Sequence, residues 1–272
     1  MNLAFKMFVM KNKIMGSLLP VRTAESATNL FLTPRKYPLK SWEEEKEQQG
    51  ERVGLSNGLS AIKWGNSKQQ VLLVHGWESR ATQLAGFVDA IVDAGFQVIA
   101  LDGPAHGHSA GRQANPLMFA KAVVQVNDEI GPFDAIIGHS MGGSAVAIAM
   151  SEGVKCNKVV LISSPSSITG VLQRFAKFIG LPPESTEYFI HKIGENVGRS
   201  PEALNVAELI KSVSSPALII HDHNDLEVPY SDAVAIQESW QGASLISTTG
   251  FGHRLIIRQA SVWQSIVKFI TS

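Results

Sequence analysis

From residue 71 onward the chain alternates short apolar runs with stretches in which apolar positions recur every three or four residues. The runs lie at 71–74, 98–101, 135–137, 159–162, 217–220 and 245–248. They are continuous rather than alternating in polarity, as expected of parallel strands covered on both faces. Between the first two, Leu84, Phe87, Val88, Ile91 and Val92 share one helical face, and Gly95 stops it. Asn115-Pro116 opens another helix with Phe119, Val123, Val126 and Ile130 on its face and Gly131 at its end. Such alternation predicts a parallel sheet with right-handed crossovers. Ahead of it, 52–55 and 59–64 flank Ser56-Asn57-Gly58, and Asn-Gly supplies the positive φ angles of a tight hairpin turn. The charged run 43–52 reads as a solvated helix end or loop. The alternation lapses between Ser163 and Pro216. There Val171, Leu172, Phe175 and Phe178 share a helical face, and Tyr188, Phe189 and Ile190 add apolar surface. Helices inserted above the carboxyl edge of a sheet would form a lid. The expected organisation is an N-terminal extension at 1–40, a core at 41–163 and 216–272, and a helical lid insertion at 164–215.

Composition narrows the function. The 272 residues are 44% hydrophobic and 18% charged, enough apolar matter for a full core. Lys plus Arg and Asp plus Glu both number 24, so no basic excess points to nucleic acid; a small-molecule substrate is expected instead. The single cysteine, Cys156, rules out an intrachain disulfide and fits a reducing compartment. The N-terminus is apolar and basic like a targeting segment, but Lys6, Lys11 and Lys13 interrupt it, which favours a cytoplasmic protein. No stretch approaches the roughly 20 apolar residues of a membrane span, and no stable membrane association is expected. A minority reading keeps residues 1–16 as a weak interfacial helix.

The chemistry centres on Gly138-His139-Ser140-Met141-Gly142, a Gly-x-Ser-x-Gly pentapeptide. Alone it is a weak signal; it gains force from an apolar strand before it and a small-residue helix after it (Gly143, Ser144, Ala145, Ala147). A strand, a sharp turn and a helix lift a serine hydroxyl clear of a sheet, and glycines two before and two after spare the neighbouring backbone a collision. A serine hydroxyl needs an imidazole to take its proton, and the imidazole needs a carboxylate to hold its tautomer.

Here the chain resembles the α/β-hydrolase family, from Arg52 to the C-terminus. Three further segments carry the resemblance: Val71-Leu72-Leu73-Val74-His75-Gly76-Trp77, similar to the third strand and oxyanion turn; Leu101-Asp102-Gly103-Pro104-Ala105-His106-Gly107-His108-Ser109, similar to the loop after the fourth strand; and Leu218 through Pro229, similar to the seventh strand and acid loop. The resemblance implies an α/β-hydrolase fold, a mostly parallel eight-stranded sheet with helices on both faces and a small helical cap. It implies Ser140 as nucleophile, His253 in Gly250-Phe251-Gly252-His253 as base, and Asp225, three residues before Val228-Pro229, as acid. It also implies an oxyanion hole from the backbone N–H groups of Trp77 and Met141, with neither metal nor cofactor. His191, His221 and His223 are the rivals for base, and Asp222 and Asp232 for acid. Asp222 stands where the family often has glycine, which brings a second carboxylate near the base. Asp102 and His106 read as loop braces.

The implied activity is a serine hydrolase cleaving a small or medium acyl ester through an acyl-enzyme. Thioesterase, acyltransferase and amidase chemistry use the same residues. Two readings come from other classes. His106-x-His108 and His221-Asp222-His223-Asn224-Asp225 can be read as zinc ligands, although Leu226 stands where that pattern wants a further histidine. A catalytically inert binding protein of the same architecture is the other.

Overall fold

The computed structural model describes residues 3–272. Eight strands form one open sheet: β1 (Glu51–Gly54), β2 (Ser60–Trp64), β3 (Gln70–Val74), β4 (Gln97–Asp102), β5 (Phe133–His139), β6 (Cys156–Ile162), β7 (Ala217–Asp222) and β8 (Ala243–Thr248). Their spatial order is β1-β2-β4-β3-β5-β6-β7-β8. β2 pairs antiparallel with β1 and β4; every other pairing is parallel. The eight-stranded, mostly parallel sheet expected from the sequence is present. The β1–β2 connection is tight because Asn57 (φ 54°) and Gly58 (φ 71°) both take the left-handed region.

Parallel strands buried on both faces need apolar residues at every position, and Val71, Leu72, Leu73 and Val74 are all fully buried. The helix Pro116–Glu129 starts where its sequence says: the Asn115 side chain accepts from the Met118 N–H at 2.9 Å, and Pro116 sits in the first turn. It turns Phe119, Val123 and Val126 inward.

One expectation is corrected. The charged run does begin in a helix, Ser41–Gln48, but Glu43 is fully buried and not solvated. Its carboxylate accepts from the Lys40 N–H at 3.1 Å and the Thr82 hydroxyl at 2.9 Å, with Arg80 Nε at 3.7 Å. A buried carboxylate is tolerated when its oxygens find such partners. Charge density along the chain does not show which carboxylate turns inward.

The chain divides into two compact units. One, 34–166 with 206–272, holds the whole sheet. The other joins residues 3–33 to Ser167–Asn205, bringing helices Leu3–Leu18 and Pro20–Leu32 together with Ile168–Ile179 and Pro183–Val197. Its interior is aromatic: the Phe31 ring lies 5.0 Å from Phe175 and 5.8 Å from Phe189. Gly16 is required where it stands, since a Cβ there would sit 2.5 Å from Pro182 Cδ.

Candidate active site

Ser140 is the single residue between β5 and the helix Met141–Ser151, with φ 54° and ψ −126°. A non-glycine residue pays strain for that conformation, and its neighbours hold it there. The Ser140 N–H donates to the Ile162 carbonyl at 2.8 Å, and the Ser140 carbonyl accepts from the Gly143 N–H at 2.9 Å. The flanking glycines have no alternative. A Cβ on Gly138 would lie 2.5 Å from Gly143 Cα, and one on Gly142 would lie 2.3 Å from the Val74 carbonyl oxygen. The turn thus raises Ser140 at the N-terminal, electropositive end of a helix.

His253 follows β8, and Asp225 follows β7. The His253 Nε2 lies 2.9 Å from Ser140 Oγ, and its Nδ1 lies 2.7 Å from Asp225 Oδ2. The three residues singled out in the sequence therefore meet, with the imidazole between hydroxyl and carboxylate. Asp225 Oδ1 accepts from the Glu227 and Val228 N–H groups, each at 2.8 Å. Burial opposes ionisation of Asp225. Hydrogen bonds from His221, His253 and the Val228 N–H outweigh it and hold the carboxyl far below its ordinary range. The group stays an anion facing the imidazole.

Asp222 serves the loops. It accepts from the Asn224 N–H at 2.9 Å, the Thr248 hydroxyl at 2.7 Å and the Phe251 N–H at 3.1 Å. It thereby ties the turn that carries Asp225 to the one that precedes His253. Burial disfavours its charge, but these donors lower its pKa overall. Of the other rivals, His191 lies on the helix Pro183–Val197 beside Glu195, 3.4 Å away. His221 is fully buried, with Nε2 2.9 Å from the Val228 carbonyl and 3.4 Å from Asp225 Oδ2. Asp232 accepts from the Ser166 N–H at 3.2 Å.

The turn after β3 stands against the serine, where a Cβ on Gly76 would lie 2.9 Å from Ser140 Cβ. Two neutral histidines brace it. His75 Nδ1 donates to the Gly76 carbonyl at 2.7 Å, and its Nε2 accepts from the Gly103 N–H at 2.9 Å. His106 Nδ1 donates to the Pro104 carbonyl at 2.8 Å, and its Nε2 accepts from the Glu78 N–H at 3.0 Å. Trp77, between these anchored peptides, sets its ring against His106 at 5.1 Å. Asp102 braces the next loop, accepting from the Ala81 N–H at 2.8 Å, the His108 N–H at 3.1 Å and Arg52 Nη1 at 2.9 Å. With both His106 nitrogens engaged, His106-x-His108 is a loop brace. Among the described residues no three His, Cys, Asp or Glu side chains gather as a metal would need.

Two neighbours escaped the sequence reading. Glu227 Oε2 lies 4.0 Å from His253 Nε2, and its Oε1 accepts from Arg254 Nε at 2.8 Å. His139, fully enclosed, donates from Nε2 to the His253 carbonyl at 3.0 Å. Only their adjacency to Asp225 and Ser140 in sequence could have hinted at either.

Burial, reinforced by a neighbouring imidazole, pushes both His75 and His139 down to about 3. In the unfolded chain a histidine titrates near 6.5. Between those values the unfolded chain binds a proton at each position that the folded chain does not, so stability is lost as pH falls from about 6.5 towards 3. Above that window both states are neutral and the contribution is constant. The expected slope is about 1.4 kcal/mol per pH unit for each histidine. Denaturant titrations across the window should show it, and His139→Gln should reduce the slope by about one proton. An unchanged slope would contradict the neutral buried imidazole.

The chain matches the profile of the alpha/beta hydrolase family over residues 71–207, and it belongs to that family. Among curated proteins it is 27% identical over 210 residues to a 2-hydroxy-6-oxononadienedioate/2-hydroxy-6-oxononatrienedioate hydrolase of a Pseudomonas species, spanning 61% of this chain and 74% of that one. It is 30% identical over 128 residues to an esterase of Mycobacterium tuberculosis, spanning 45% of this chain and 41% of the relative. Its fold superimposes on an esterase from Pyrococcus furiosus with a TM-score of 0.67 and 19% identity, covering 88% of this chain and 98% of the other. These curated relatives are hydrolases, and their names support hydrolase activity.

Proposed function

We propose that the protein is a serine hydrolase that cleaves small or medium acyl esters through an acyl-enzyme. Ser140 Oγ attacks the carbonyl while His253 Nε2 takes its proton. Asp225 holds the imidazole with its proton on Nδ1 and stabilises the cation that forms. The N–H groups of Trp77 and Met141 bind the oxyanion. The tetrahedral intermediate collapses by breaking the ester C–O bond, His253 gives its proton to the departing oxygen, and the alcohol leaves the acyl-enzyme. Water then attacks with His253 as base, releasing the acid and restoring Ser140. No metal or cofactor enters.

The observation that carries this reading is the continuous pair of contacts, 2.9 Å and 2.7 Å, from Ser140 through His253 to Asp225. The strained backbone that exposes Ser140 supports it, because such strain clusters where chemistry needs it. A fluorophosphonate probe should label the wild-type protein on Ser140 and leave Ser140→Ala unlabelled, and p-nitrophenyl esters of graded chain length should be turned over with a preference for the shorter acyl groups. Labelling elsewhere, or none, would reject the assignment. The name of the Pseudomonas relative favours one second reading, hydrolysis of an oxo dicarboxylic acid. A substrate of that type belongs in the same panel.

A further inference from the structure

Helix Leu3–Leu18 has two different faces. Phe5, Asn12 and Gly16 turn to the other helices of their unit. Asn12 Nδ2 donates to the Ile179 carbonyl at 2.8 Å, the Ser185 hydroxyl donates to the Gly16 carbonyl at 2.9 Å, and the Phe5 ring lies 4.9 Å from Phe178. The opposite face carries Leu3, Met7, Met10, Ile14 and Leu18, whose steps of three and four residues line them up in one stripe. All five are exposed, between 53% and 73%. A contiguous apolar stripe left open to solvent marks an interaction surface.

The charges around it select the partner. At 3.6 residues per turn, Lys6 and Lys13 fall along one border of the stripe and Lys11 along the other, and the helix contains no acidic residue. A second copy of the chain docked face to face would set these lysines against lysines. An anionic lipid surface instead offers acyl chains to the stripe and phosphates to both borders.

We propose that the helix Leu3–Leu18 is a peripheral membrane anchor that lies in the plane of an anionic bilayer. The five apolar side chains enter the boundary between headgroups and acyl chains, and the lysine stems reach up to the phosphates. Among the described residues no helix is long and apolar enough to cross a membrane, and the anchor is a surface one. Its binding is reversible, because one short helix and three lysines give neither a span nor a lipid chain. The lysines that break up a targeting segment when read along the chain become its flanks once wound into a helix.

Sedimentation of the full-length protein with vesicles tests this. Vesicles of phosphatidylcholine containing roughly one third phosphatidylglycerol should carry the protein down at low salt, and pure phosphatidylcholine should not. Raising the salt should release it. Met7→Ser/Ile14→Ser should abolish binding, and Lys6→Gln/Lys11→Gln/Lys13→Gln should weaken it roughly a hundredfold. Circular dichroism and melting temperature should stay unchanged, since these side chains face outward. Three results would overturn the proposal: no preference for the anionic vesicles, binding that survives both variants, or self-association in light scattering that Met7→Ser/Ile14→Ser abolishes. The last would assign the stripe to a second copy.

Discussion

Ser140→Ala should lower turnover of a responsive ester by a factor of roughly 10⁴–10⁶ with the protein still folded. The change removes Oγ, the atom 2.9 Å from His253 Nε2, and leaves Cβ in place. His253→Ala should fall in the same range, and the double variant should be little worse than either, because groups that act as a unit are not additive. The strained backbone adds a stability signature. With φ 54° and ψ −126°, position 140 occupies a region where a Cβ costs roughly 1–3 kcal/mol. Alanine keeps that cost and glycine releases it, less the roughly 0.5–1 kcal/mol that glycine's looser unfolded chain takes back. Ser140→Gly should therefore be as inactive as Ser140→Ala but melt higher. Retained activity in purified Ser140→Ala would reject the nucleophile, and a lower melting temperature for Ser140→Gly would reject the strain.

Asp225→Asn should cost roughly 10³–10⁴ in turnover for a reason of tautomer rather than shape. Asp225 Oδ1 accepts from two backbone N–H groups, so the amide oxygen of asparagine takes that place and the amide nitrogen faces His253. That nitrogen donates, which forces the His253 Nδ1 to accept and places the imidazole proton on Nε2, where it cannot receive one from Ser140. Asp222→Asn presents the opposite balance. It disturbs the bonds to Asn224, Thr248 and Phe251 and should lower the melting temperature more than it lowers kcat. Kinetics and melting of the two variants decide between the carboxylates; a larger loss of turnover in Asp222→Asn would move the acid to 222.

The central parallel strands are legible in the sequence because each carries a continuous apolar run, and the 71–74 run needs no tertiary information to be read, whereas the edge strand β8 interleaves Ser244, Ser247 and Thr248. The elbow is legible because its glycines are forced by local collisions. Ser140, Asp225 and His253 lie within hydrogen-bonding reach of one another beyond the carboxyl ends of β5, β7 and β8, with His253 in the short helix Gly252–Leu255. What the sequence hides is contact between distant segments. The inward turn of Glu43 depends on Thr82 and Arg80, which lie across the fold. Nothing local says that helices 3–18 and 20–32 adopt partners in 167–205. Likewise Glu227 comes within 4.0 Å of His253 Nε2 only after two separate turns close on each other.

The helical unit built from two distant stretches has a consequence for synthesis. Helices Leu3–Leu18 and Pro20–Leu32 emerge before the residues that will cover Phe31 and Gly16, and at about 5–20 residues per second the wait is on the order of ten seconds. Throughout it, sticky surface that the finished molecule conceals stands naked at the ribosome exit, where a chaperone can intercept it. The nascent chain is accordingly most vulnerable to clumping before the inserted helices have been made.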